Sequence, residues 1–223
     1  MTQKKKTAPV NEIDETIVAG TGFVERNIKT LSYTVGGILA VIILALIIYQ
    51  YYIVPRNAEA ADNIAVAEQL FLSGDYEKAL NGDGTNAGFL QIVDKYGSTP
   101  SGNLASLYAG LCYAHTDKAE EAVKYLEDYD ACGDMMVSNA ALGALGNCYA
   151  QLGQNDKAAA TLLKAAKRAD NNTLSPLFYQ QAGQLYEAVG NKDKAMDCYK
   201  TIKSDYPQSM QAQDIDKYIE RLK

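Results

Sequence analysis

Three stretches of this chain repeat one another: GLCYAHTDKAEEAVKYL from Gly110, GNCYAQLGQNDKAAATLL from Gly146 and GQLYEAVGNKDKAMDCY from Gly183. Their glycines stand 36 and 37 residues apart. A period of this length marks a repeat architecture, in which each unit is one supersecondary element that cannot cover its own apolar face and must stack on its neighbours. The chemistry inside the units repeats as well. Tyr113, Tyr149 and Tyr186 each follow the glycine by three residues. Ala122, Ala158 and Ala195 come nine residues later, and Leu126, Leu162 and Tyr199 four beyond those. This pattern predicts a helix hairpin: the glycine lets two helices approach, the tyrosine fills the space beside it, and the alanine sits at the crossing. Gly153 and Gly190 fall between the helices, where a positive φ is often required. Pro207 ends the last second helix.

These residues resemble the tetratricopeptide-repeat (TPR) consensus, which implies an all-α solenoid. Repeats are expected at about 103–136, 139–172 and 176–209. An atypical first unit is expected at about 58–99, where Gly74, Asp75, Tyr76 and Ala79 match the TPR turn and NGDGTNAG delays the second helix. Ile215, Tyr218, Ile219 and Leu222 share one face of 210–223, as a capping helix requires.

Residues 31–54, LSYTVGGILAVIILALIIYQYYIV, carry no charge. A helix needs about 20 apolar residues to cross the hydrocarbon layer, and Tyr49, Tyr51 and Tyr52 cluster where rings prefer the headgroups. The run is too long, starts too late and lacks the small-residue site expected of a cleaved signal peptide. It reads as a single transmembrane helix joining an N-terminal tail, 1–30, to a domain at 55–223. Arg26, Lys29 and the more distant Lys4–Lys6 flank one side, whereas Arg56 is followed by Glu59, Asp62 and Glu68 on the other. The positive-inside rule then puts the N-terminus in the cytoplasm and the large domain outside, which in a bacterium means an inner-membrane anchor and a periplasmic domain. In the tail, Ile13, Ile17, Val24, Ile28 and Leu31 recur at helical intervals, although Gly20 and Gly22 interrupt them. It reads equally as an amphipathic helix on the membrane surface or as a partly ordered segment.

The whole layout resembles the YfgM-like ancillary subunits of the Sec translocon. VERNIKTLSYTVGG and GNLASLYAGLCYA carry that likeness, and the NGDGTNAGFLQIVDKY insert looks like that of Bacteroidetes relatives. The resemblance implies contact with the SecYEG channel and a membrane-anchored periplasmic prolyl isomerase, and a part in passing exported chains to chaperones. A TPR scaffold for an envelope assembly complex unrelated to secretion would need the same anchor and solenoid, and is the competing reading.

Several chemistries find no support. The net charge is −6, and the cations after Pro55 are dispersed in an acidic background. Nucleic-acid binding calls for a basic stripe instead. Cys112, Cys132, Cys148 and Cys198 form no CxxC pair, and the single His115 cannot complete a Cys/His zinc set. Four thiols suffice in number for an all-Cys site, but their wide spacing does not support one. Cys112 and Cys148 follow the repeat glycine by two residues, where a small buried side chain belongs. Equivalent positions in adjacent repeats lie about 8–10 Å apart, beyond a disulfide's span. The Gly82–Gly88 loop follows no strand, precedes no GK[ST], and as a calcium loop would have Ile92 in place of its final Glu. It reads as an insertion between helices. No catalytic, cofactor or metal residues are expected.

Function should therefore lie in the groove that, in TPR domains, the first helix of each repeat lines. Carrying over the ligand-facing positions gives Leu104, Leu107, Leu111 and His115, then Asn147 and Gln151, then Gln180, Gln184 and Glu187. This surface grades from apolar to amide-rich and has no Lys or Arg, unlike TPRs that grip a chaperone's terminal carboxylate. It suits an extended or helical segment with apolar anchors and backbone hydrogen bonds. Some of the leucines could equally pack against the first unit.

Overall fold

The computed structural model describes the backbone of residues 10–130 and 135–223. Lys4–Lys6 and Cys132 lie outside the described residues, as do the side chains of Ile13, Ile17, Val24 and Leu31. No strand occurs among the described residues. The chain divides into two units at Val54/Pro55.

In the first unit, α1 runs Val10–Ile48 and passes into a π-helical turn, Tyr49–Ile53. Gly20 and Gly22 do not break α1. Side chains from Ser32 to Tyr52 are all exposed. A continuous helix satisfies its own backbone hydrogen bonds, which is the condition for residing in lipid. By length and composition this is the one described helix apolar enough to cross a membrane.

The second unit contains α2 (Val54–Leu72), α3 (Tyr76–Asn81), α4 (Phe89–Tyr96), α5 (Pro100–His115) and α6 (Ala119–Asp128). These are followed by α7 (Met135–Gln151), α8 (Asn155–Ala169), α9 (Leu174–Ala188), α10 (Lys192–Asp205) and α11 (Met210–Leu222). The helices pair as hairpins, α5 with α6, α7 with α8 and α9 with α10. The reason is visible at the repeat glycines. A Cβ on Gly110 would lie 2.7 Å from Leu126 Cγ, one on Gly146 2.6 Å from Leu162 Cγ, and one on Gly183 2.4 Å from Tyr199 Cε1. Ala122, Ala158 and Ala195 are completely buried beside these contacts.

One turn closes every hairpin. The amides of Asp75, Lys118, Gln154 and Asn191 donate to the carbonyls of Leu70, Tyr113, Tyr149 and Tyr186 at 2.9, 3.0, 2.9 and 2.8 Å. This is the long bond of the Schellman motif, and it needs a left-handed residue just before the donor. Gly74, Gly153 and Gly190 supply it at φ 82°, 72° and 78°, and Asp117 does so at 58°. Asp is one of the few side chains that tolerate this region.

The NGDGTNAG insertion splits the second helix of the first unit into α3 and α4. Asp83 organises it: Oδ1 accepts from the amides of Thr85 and Asn86 at 2.9 and 2.7 Å, and Oδ2 from Asn86 Nδ2 at 2.9 Å. These bonds hold the Asp83 carboxyl down at about 2. The carboxylate oxygens are spent within the loop, on two backbone amides and the Asn86 side chain, which accounts for the acidic residue without a ligand.

Neighbouring first helices touch, α5 on α7, α7 on α9 and α9 on α11, whereas α6, α8 and α10 do not approach one another in the same way. A stack whose first helices are closer than its second helices must curve, with the first helices on the inner side.

Candidate protein-binding surface

The residues expected to line the groove fall into two groups. Leu107 is only 4% exposed and is packed among Ala122, Leu126, Ala141 and Leu145 of α6 and α7. Its assignment to the groove is therefore corrected: it is a core residue joining two repeats. The cause is its place on α5, where the face four residues below Leu111 meets α7 rather than solvent. Leu104 and Leu111 are half-buried and rest against the same core, Leu104 also reaching the first unit's cluster.

His115 is exposed, and its ring stacks on Tyr76 at 4.5 Å with an interplanar angle of 3°. Phe71 meets Tyr76, Tyr108 and His115 edge-on at 5.4, 5.3 and 6.0 Å, and Tyr108 stacks on Phe89 at 5.0 Å. His115 thus belongs to an aromatic seam that fastens the atypical first unit to α5. The matching Gly74–Tyr76 turn was the only signal in the sequence that could have placed it.

Asn147, Gln151 and Gln184 are exposed, on the first helices α7 and α9. Gln180 is half-buried on the same helix as Gln184. The capping helix adds to this end: Gln184 Nε2 donates to Tyr218 Oη at 3.4 Å. Glu187, half-buried, forms an ion pair with Arg221 Nε at 2.7 Å and accepts from Tyr199 Oη at 3.2 Å. The Arg221 guanidinium, followed by the Tyr199 hydroxyl, holds the Glu187 carboxyl below its usual range. Sequence reasoning missed Tyr218 and Arg221 because a terminal cap has no repeat to be aligned with.

The three described thiols are core side chains. Cys112, Cys148 and Cys198 are unpaired and at most 2% exposed. Burial pushes Cys112 up to about 12 and Cys198 up to about 11, so neither is a thiolate at neutral pH. Among the described residues no three His, Cys, Asp or Glu side chains are grouped as metal ligands.

The geometry defines an α-helical repeat solenoid in one unit and an apolar N-terminal helix in the other. Residues 22–218 match the family model described as a tetratricopeptide repeat-like domain. The chain belongs to that family. No curated protein matches it. Solved structures share the fold. One is a Podosopora anserina putative kinesin light chain with nearly identical TPR-like repeats, at 14% identity and TM-score 0.54 over 74% of this chain and 86% of that one. A variant form of the same protein gives the same identity and TM-score, covering 74% and 85%. MamA matches at 17% identity and TM-score 0.50, over 70% of this chain and 92% of its own.

Proposed function

We propose that this chain is a non-catalytic adaptor that holds a segment of another protein against its inner layer of first helices. The observation that carries the reading is the set of exposed amides Asn147 and Gln151 on α7 and Gln184 on the neighbouring α9. A carboxamide both donates and accepts, so such a set can pair with the backbone of an extended segment whatever its sequence. Arg221, on the capping helix whose Tyr218 meets Gln184, is engaged by Glu187, and Lys118, beside Gln151, by Glu77, which disfavours a terminal carboxylate as the anchor. Replacing Asn147, Gln151 and Gln184 together by alanine should weaken partner binding about tenfold or more, from the loss of hydrogen bonds worth about 0.5–1.5 kcal/mol each. The melting curve should not move. Unchanged affinity would place the partner elsewhere.

The anchor is proposed to span a bacterial inner membrane, with the repeats in the periplasm beside a SecYEG-type channel and a membrane-anchored prolyl isomerase. Supporting this are the Arg26 and Lys29 flank, the acidic residues after Arg56, and the resemblance to YfgM-like subunits. A thiol probe near Lys223 should label from outside intact spheroplasts and one near Lys5 should not; protection at Lys223 would reverse the topology. A photo-crosslinker at Gln151 should recover channel subunits. Recovery of envelope assembly machinery instead would make this a scaffold unrelated to secretion.

A further inference from the structure

The second helices carry a surface that the groove does not use. On α8, Ala160, Leu163, Lys164, Lys167 and Arg168 fall at spacings of three and four and line one open depression. Seven of the thirteen lysines after Pro55 sit against a carboxylate: Lys78 on Asp75, Lys95 on Glu59, Lys118 on Glu77, Lys157 on Glu127, Lys203 on Asp216, Lys217 on Asp214 and Lys223 on Glu220. Lys164, Lys167 and Arg168 make no ion pair among the described residues. A helix C-terminus favours cations in its last turn, which accounts for Lys167 and Arg168 but not for Lys164.

A second feature adjoins the first. Where α8 and α10 diverge, a cleft of about 330 Å3 opens, lined by Leu163 and Lys167 of α8, Tyr179 and Tyr186 of α9, and Lys194 and Cys198 of α10. Asp197 and Thr201 complete its rim. Its floor is apolar and aromatic, with Tyr179, Tyr186 and Cys198 all buried. Lys194 stands over the Tyr186 ring at 5.1 Å. Asp156 at the start of α8, Asp170 beyond its end, and Asp197 and Asp205 of α10 are the anions around the surface, but α8 itself carries no acidic residue after Asp156, so Lys164, Lys167 and Arg168 share a face with no carboxylate on it.

We propose that the outer face of α8 and the α8–α10 cleft bind an acidic segment of a partner protein that inserts one apolar side chain beside Leu163, Tyr179 and Tyr186. Charge complementarity selects the acidic segment: unpaired cations in an otherwise acidic protein attract anions and repel few of their own kind. The cleft selects a peptide over a lipid surface. A bilayer is engaged by protruding apolar side chains, whereas here the apolar groups lie recessed behind a cationic rim.

The test uses the full chain in phosphatidylcholine nanodiscs and fluorescence anisotropy. The probes are a short fluorescein-labelled peptide of Asp and Glu with a central Phe, and its counterpart with Ser in place of Phe. The Phe peptide should bind several-fold more tightly than the Ser peptide, and both should weaken as salt screens the charges. Lys164→Glu with Lys167→Glu should reduce affinity by at least about tenfold with an unchanged melting curve. Thr201→Trp, which narrows the cleft, should bring the Phe peptide down to the level of the Ser peptide. Equal binding of the two peptides, or full affinity in the charge-reversed chain, overturns the proposal. So does amide-exchange protection over 160–168 that appears without peptide when phosphatidylglycerol is added to the discs, since the bilayer would then be the occupant.

Discussion

A chain carrying Leu107→Asp should lose about 4 kcal/mol or more of stability, and its helical signal should melt far below that of the unaltered protein. Deleting a buried leucine side chain already costs about 2–5 kcal/mol through lost transfer energy and the cavity left behind. The carboxylate must in addition be stripped of water or protonated, because Leu107 is packed with Ala119, Ala122, Leu126 and Leu145. Leu111→Asp is the contrast. Leu111 is half-buried, so its carboxylate can turn towards water at a cost of about 1–2 kcal/mol. Thermal unfolding followed by circular dichroism in detergent separates the two. A Leu107→Asp chain that melts normally yet fails to bind a partner would return Leu107 to the binding surface.

Gly102→Ala should destabilise by about 3 kcal/mol or more, against the direction of helix propensity, which favours alanine over glycine by about 1 kcal/mol. Gly102 lies in the first turn of α5, where its amide donates to the capping Thr99 hydroxyl at 3.0 Å. A Cβ there would lie 1.8 Å from the Tyr96 carbonyl oxygen and 2.3 Å from its carbon. The obstruction is backbone, so no rotamer change relieves it, and α4 must separate from α5. Gly146→Ala meets Leu162 Cγ at 2.6 Å instead. A side chain can shift, so the cost should stay near 1–3 kcal/mol. Urea midpoints measured on both chains give the order. A Gly102→Ala chain as stable as the original would show that α4 and α5 are not held this close.

The repeat units were legible because their determinants are local or recur. Gly110, Gly146 and Gly183 announce close helix crossings by repetition, and Gly153 and Gly190 mark turns. The equivalent turn at Asp117 was less visible, because its φ of 58° is imposed by the same hydrogen bond that glycine serves elsewhere. Alignment alone expected Asn147, Gln151 and Gln184 at the surface, and all three are exposed. Leu107 could not, since alignment gives the face of a helix but not how far the next helix covers it. The seam of Phe71, Tyr76, Tyr108 and His115 unites residues from α2, α3 and α5 that no periodicity connects.

By itself the sequence determined the helical class, the apolar segment 31–54 and the hairpin register, because hydrophobic run length, period and glycine placement act within one or two turns of the chain. Tertiary structure alone decided which leucines are core and which border solvent, how Arg221 comes to hold Glu187, and which lysines remain without a carboxylate. Those outcomes depend on distances between helices far apart in sequence. They follow from the close packing of the first helices and the divergence of the second, a geometry that many side chains set together and no single stretch of sequence encodes.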